Sequence, residues 1–150
     1  MVPEEPTDID PIDILLVEPN PGDTRLFTES FEEAKLTNTF FSVPDGETAL
    51  DYVHQEGSYA EHPRPDLILI EPRLPGKSGR EVIVELKNDP ALEDIPIVVL
   101  TSSDTEEEIV RSRDLDADHY TQKPVEPDEF FEFVRSIEDL WFTIVQSADA

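Results

Sequence analysis

Short apolar runs alternate along this chain with segments whose apolar residues recur at helical spacing. Ile12 to Val17 (IDILLV) has the β-branched, mostly apolar character of a strand buried on both faces. It ends at Glu18-Pro19, because proline donates no amide hydrogen and keeps the residue before it out of helical geometry. In NPGDTRLFTESFEEA, Leu26, Phe27, Phe31 and Ala34 fall on one helical face, with Gly22 and Asp23 at the mouth of this first helix. Thr39 to Val43 (TFFSV) predicts a second strand, and Pro44-Asp45-Gly46 turns into a short helix bearing Ala49, Leu50 and Val53. A polar connector follows from Gln55 to Arg64.

Asp66 to Ile70 predicts the third strand, ending on Glu71, and Gly79 to Lys87 a third helix with Val82, Ile83 and Leu86 as its buried stripe. The run IVVL, Ile97 to Leu100, is a fourth strand ending at Thr101. Asp104 opens a fourth helix with a thin apolar stripe of Ile109, Val110 and Leu115, and Glu106 to Glu108 sit in its first turn, where the helix dipole favours negative charge. His119 to Thr121 is a short fifth strand, followed by Gln122-Lys123-Pro124. A long last helix starts near Pro127 and carries Phe130, Val134, Ile137, Trp141 and Val145 on one face. Alternation of buried-type strands with helices implies an α/β fold with a parallel sheet and helices on both faces, since parallel neighbours need crossovers that usually contain a helix.

Composition narrows the class. The 150 residues suffice for one domain with a real core. Residues 1–11 are expected to be a solvated acidic tail, 12–146 the domain, and 147–150 a C-terminal tail. Without cysteine, a disulfide scaffold, a thiolate metal site and a cysteine nucleophile are excluded. The N-terminus has neither the basic nor the apolar region of a signal peptide, and no apolar run approaches a bilayer span, so a cytoplasmic protein without membrane contact is expected.

The net charge of -25, from 36 acidic against 11 basic residues, is spread along the chain and argues against direct nucleic-acid binding. Its plainer reading is a halophilic surface, with an acidic face for a basic partner as the sharper one. Self-repulsion then weakens the fold at low ionic strength, so the melting temperature should rise from dilute buffer to molar KCl. A melt indifferent to salt removes the halophilic reading.

If the five strands run parallel, their carboxyl ends gather Glu18, Glu71, Thr101 and Lys123 on one edge of the sheet. Open α/β sheets bind ligands at that edge. Carboxylates, a hydroxyl and an ammonium in one crevice suit a hard cation and a phosphoryl group.

LLVEPN after the first strand, DLILIEPRLPGKSG around the third, VVLTSSD at the fourth and HYTQKPVEPDEF at the fifth occur in the order found in response-regulator receivers. From about Ile12 to Val145 the chain resembles the receiver domain of two-component (phosphorelay) response regulators. That resemblance implies a flavodoxin-like three-layer α/β/α fold, with a five-stranded parallel sheet of order 2-1-3-4-5 and five helices. It implies an aspartate at the end of the third strand that accepts a phosphoryl group from a histidine kinase. The Mg²⁺ is held by that aspartate, an acidic pair after strand one and a backbone carbonyl. It further implies a Thr/Ser and a Lys on the phosphoryl oxygens, and an aromatic on strand five that reports the change.

Thr101, Tyr120 and Lys123 match the phosphoryl-contact and switch positions, and Glu18 the first acid of the pair. Two positions depart: Glu71 stands at the phosphoacceptor position, and Pro19 where the second acid belongs. The metal set reduces to Glu18, Glu71 and the backbone carbonyl of Arg73, so no cofactor or only weakly bound Mg²⁺ is expected. In-line transfer depends on positioning, and a carboxylate displaced by a methylene loses rate. The expectation is therefore a non-enzymatic receiver with Mg²⁺-dependent phosphorylation lost or impaired, in which Glu71 reaches Lys123 and Thr101 directly. The plainer reading is a decayed site in the inactive arrangement, and the alternative a receiver still phosphorylated by a kinase. Partners are expected to be a histidine kinase or an effector on the face of the fourth helix, fifth strand and last helix. The excess of apolar positions there (Phe131, Phe133, Phe142) also suits a homodimer.

A remoter reading takes Gly76-Lys77-Ser78 as the end of a nucleotide-binding P-loop. Its first glycine would be residue 71, a glutamate, and Pro72 and Pro75 remove amides that should cradle phosphates, so charge and donors are both wrong. The three histidines, His54, His62 and His119, lack metal-ligand spacing and read as solvated surface residues.

Overall fold

The computed structural model describes residues 12–34, 37–101 and 119–149. Five parallel strands, β1 (Ile12–Val17), β2 (Thr37–Val43), β3 (Leu67–Ile70), β4 (Ile97–Thr101) and β5 (His119–Gln122), form one sheet in the order β2-β1-β3-β4-β5. The helices are α1 (Pro21–Ala34), α2 (Gly46–Val53), α3 (Gly79–Lys87) and the C-terminal α4 (Pro127–Asp149). The expected fourth helix falls within 102–118, outside the described residues, which accordingly hold four helices against the five expected.

Alternate strand residues feed two cores, as the pleat requires. Leu15, Val17, Ile68, Ile70, Ile97 and Val99 pack on one face against α2 and α3. On the other, Ile14, Leu16, Leu67, Leu69, Val98 and Leu100 pack against Phe27 and Phe31 of α1 and Phe130, Phe133, Val134 and Ile137 of α4. Burial on both faces explains why the strands read as continuous apolar runs.

Boundaries shift where the ladder decides them. β2 begins at Thr37, two residues before the expected Thr39, because Ile12 pairs with Thr37 across an irregularity at Ile12/Asp13. β3 begins at Leu67, since Asp66 turns its carboxylate back to accept from the Asp13 amide at 2.9 Å. β4 and β5 each run one residue further, Thr101 pairing with Gln122.

The polar connector contains structure that periodicity did not show. Gly57–Tyr59 forms a 3-10 turn, and Phe41, Tyr52, Tyr59 and His62 make an aromatic cluster. His62 is therefore not a solvated surface residue: its ring centroid lies 4.8 Å from that of Phe41 and 5.2 Å from that of Tyr52. Tyr52, only 1% exposed, has its phenol pushed up to about 12 by burial and, secondarily, by the charge of Asp13.

Candidate functional site

The carboxyl edge of the sheet is tied in register by its own backbone. Glu18 donates its amide to Val43 O at 3.0 Å, Glu71 to Val17 O at 3.0 Å, and Lys123 to Thr101 O at 2.7 Å. Each residue that leaves a strand is thus anchored to the neighbouring strand, and their side chains enter one crevice.

The loop after β3 is held against the N-terminus of α3. Ser78 caps that helix in a reciprocal pair with Glu81, satisfying two backbone donors at once. Gly79 donates its amide to Pro72 O at 3.1 Å, and a Cβ on Gly79 would lie 2.7 Å from Glu71 O and 2.8 Å from Pro72 Cα. Since the obstructing atoms are backbone, Gly79→Ala should push the Glu71 loop outward at a cost of about 1–3 kcal/mol, the usual range for overpacking. Urea denaturation checks it, and an unchanged midpoint would show that the loop yields freely.

Lys123 is the centre of the crevice. Its Nζ lies 2.7 Å from Glu18 Oε1, 2.9 Å from Asp23 Oδ2 and 3.1 Å from Glu71 Oε2. The Glu18 side chain is fully buried, that of Glu71 is 10% exposed and that of Lys123 15%, whereas Asp23 opens to solvent at 28%. Glu18 Oε1 and Glu71 Oε2 meet the ammonium by distance without hydrogen-bond alignment to it. Distance governs here, because Coulomb attraction at such range needs no particular angle. Burial of the ammonium pulls the Lys123 pKa down, but close contact with Glu18 and Asp23 and the charges of Glu71 and Glu18 outweigh it, and the net shift is upward.

The expected reach of Glu71 to Lys123 is present in this geometry. Thr101, fully buried, donates its hydroxyl to Thr121 O at 3.2 Å, which binds the end of β4 to β5. Tyr120 is half-buried, packs against the core shared with α2 and α3, and pairs with Val99. Arg73 is exposed two residues beyond Glu71, and Pro19 is half-buried beside Glu18 with no side-chain oxygen to contribute.

Asp23 is the residue that reading the strand ends missed, having been placed only at the mouth of a helix. The signal was Asn20: its Oδ1 accepts from the Gly22 amide at 2.9 Å and the Asp23 amide at 3.1 Å, while its own amide donates to Glu18 Oε2 at 3.1 Å. That cap closes the turn between β1 and α1 and swings the first helical turn over Glu18.

The comparisons agree with this architecture. The response regulator receiver domain model matches residues 14–135. Among curated proteins, Response regulator Rcp1 of Synechocystis is 38% identical over 132 residues, covering 88% of this chain and 90% of Rcp1. The probable methanogenesis regulatory protein FilR2 of Methanothrix harundinacea is 34% identical over 133 residues, covering 88% of this chain and 84% of FilR2. Among solved structures, the phosphorylated cyanobacterial phytochrome response regulator RcpA superposes with a TM-score of 0.78 at 41% identity, covering 89% of this chain and 96% of that one. The Mn²⁺-bound form of Rcp1 follows at 0.75 and 38%, covering 87% and 94%. With a parallel sheet of order β2-β1-β3-β4-β5, an acidic crevice at its carboxyl edge and these relatives, the chain belongs to the response regulator receiver domain family.

Proposed function

We propose that this chain is a non-enzymatic receiver of a two-component system that signals by protein contact, with Mg²⁺-dependent phosphorylation lost or impaired because Glu71 replaces the phosphoacceptor aspartate. The observation that carries the reading is the pairing of Glu71 with Lys123 at 3.1 Å inside a crevice nearly closed to solvent. Lys123, the residue expected to bind a phosphoryl oxygen, already holds a carboxylate at the acceptor position. The longer side chain partly imitates a phosphorylated aspartate, with one charge where a phosphoryl group carries up to two.

The metal that the family implies is a divalent cation such as the Mn²⁺ of the Rcp1 structure. The donors fit it in charge: Glu18 and Glu71 bring carboxylates to one point, Glu18 Oε1 is buried without an aligned donor, and the Arg73 carbonyl follows in sequence. Spacing fits less well. The 2.7–3.1 Å contacts suit an ammonium, whereas Mg²⁺ takes oxygens at about 2.0–2.1 Å. Among the described residues no group of three or more His, Cys, Asp or Glu side chains is disposed to hold a metal ion. When bound, such an ion would neutralise charge on the phosphoryl oxygens; Glu18, Glu71 and the Arg73 carbonyl would hold it.

Output is expected on the flank of β5 and α4, together with the expected fourth helix. Val125, 73% exposed, lines a groove of about 540 Å³ together with Thr121, Lys123 and Phe133 among others. A kinase, an effector or a second copy of the chain would dock there, in a cytoplasm whose salt screens the acidic surface. Among the described residues no helix is long and apolar enough to cross a membrane.

Labelling with a small-molecule phosphodonor and Mg²⁺ tests the proposal. The unmodified chain should take no stable label at Glu71, and Glu71→Asp should gain one. Stable phosphorylation at Glu71 itself would sink the reading in favour of a receiver that still accepts a kinase's phosphoryl group.

A further inference from the structure

Among the described residues β2 closes one side of the sheet, with a strand partner only in β1. Along a strand, successive residues turn their amides and carbonyls to opposite sides, and the bond from the Glu18 amide to Val43 O fixes that alternation here. Thr39, Phe41 and Val43 face β1, opposite Asp13, Leu15 and Val17. Phe40 and Ser42 therefore turn their backbone groups outward, where no described residue meets them with a backbone hydrogen bond. Sheet edges are usually protected from further strands by a charge, a proline or a bulge. β2 reads TNTFFSV, with neither charge nor proline in a chain of which 31% is charged, and its irregularity at Ile12/Asp13 lies before the stretch from Thr39 to Val43.

The two faces beside that edge differ. On the side of α1, Phe40 is half-buried with its ring stacked on Phe31 at 4.6 Å. On the side of α2, Thr39 borders a hollow of about 560 Å³ whose other walls include Glu61, His62 and Pro63 of the connector. Glu61 is exposed there, and neither lysine nor arginine lines the hollow. A strand laid along β2 would send alternate side chains to these two places, an apolar one beside Phe40 and a basic one toward Glu61. The net charge of -25 favours a basic occupant over a second copy of the chain, which would bring like charges together.

We propose that the open edge of β2 is a docking strand for an extended, basic segment of a partner protein, which pairs with the backbone of Phe40 and Ser42 and places a lysine or arginine beside Glu61. Main-chain bonds supply the affinity, and the hollow supplies the preference for a base. The site lies at the opposite end of the strand order from β5, and it stands or falls apart from the labelling result.

Fluorescence anisotropy with a labelled peptide of alternating lysine and valine tests it, at about 0.5 M KCl, where diffuse attraction to the acidic surface is screened while charges in contact still attract. The peptide should bind the unmodified chain, and the same peptide N-methylated along its backbone should bind at least about tenfold more weakly, because it cannot donate to the edge. Ser42→Pro removes an outward amide while leaving the bonds to β1, so it should weaken binding to a similar degree. Glu61→Lys should weaken it about threefold or more, whereas Glu132→Lys makes the same change of net charge in the groove beside β5 and should have no effect. Absence of binding, equal binding of the N-methylated peptide, or equal losses in Glu61→Lys and Glu132→Lys would overturn the proposal.

Should Ser42→Pro disturb the strand itself, amide hydrogen exchange in the unmodified chain gives a second reading. Saturating peptide should slow exchange at Phe40 and Ser42, while Phe41 and Val43, already bonded to β1, keep their rates. Unslowed exchange at Phe40 and Ser42 would refute the docking strand. Slowing that grows with protein concentration alone, with a doubled mass in sedimentation, would give the edge to a second copy and refute the basic partner.

Discussion

Lys123→Met is expected to destabilise the fold by about 3–5 kcal/mol, the cost of leaving buried charge without its partner. Methionine keeps much of the volume of the lysine stem, so the loss reports charge rather than a cavity. Glu18, with no exposed side-chain surface, and Glu71, at 10%, would then both lose the ammonium that faces them. Adding Glu18→Gln and Glu71→Gln to Lys123→Met should recover most of the loss, because neutral amides in the same places bury no ion. Urea denaturation at fixed KCl reads both results; a single variant within about 0.5 kcal/mol of the parent would mean the crevice takes in enough water to solvate its acids.

The pH dependence has a definite sign. Folding raises the Lys123 pKa, so its stabilisation is complete below the unfolded value of about 10.4 and is lost only as pH climbs through the higher folded value. Over roughly pH 6 to 9 the contribution of Lys123 to the parent's stability should stay constant, and it should be lost in alkali.

Phe27→Ala is expected to cost a similar amount, about 3–5 kcal/mol, from lost burial and the cavity left behind. Phe27 is fully buried and meets Phe130 edge-on with centroids 4.8 Å apart and Phe133 at 5.3 Å, an arrangement favoured by the ring quadrupoles. These contacts clamp α1 to α4. Asp23 lies one turn before Phe27 on α1, and Lys123 lies just before α4, so the clamp also sets the distance across the ion pair. Phe27→Leu should lose less, since leucine refills part of the space. A midpoint shift at unchanged urea slope identifies lost packing; a changed slope would point to altered compactness of the folded or unfolded state.

The strands, the helices of the described residues and the sheet's two-sided burial were legible in the order of apolar positions, because a doubly covered parallel sheet leaves a continuous apolar run for each strand. Strand ends were legible to within a residue or two, and with them Glu18, Glu71, Thr101 and Lys123 on one edge. The aromatic cluster of Phe41, Tyr52, Tyr59 and His62 was not, since its members come from a strand, a helix and a polar connector with no shared period.

By itself the sequence determined the family and the gathering of Glu18, Glu71, Thr101 and Lys123 at the carboxyl edge of the sheet. Only the tertiary structure decided which side chains meet there. Asp23 belongs to the crevice because the Asn20 cap bends the chain back over Glu18, and Glu71 is paired because β3 and β5, separated in sequence, end at the same depth on either side of β4. Local pattern carries burial, which each residue meets in its own strand or helix. Charge balance depends on distances between elements far apart in the chain, and no spacing within the sequence records them.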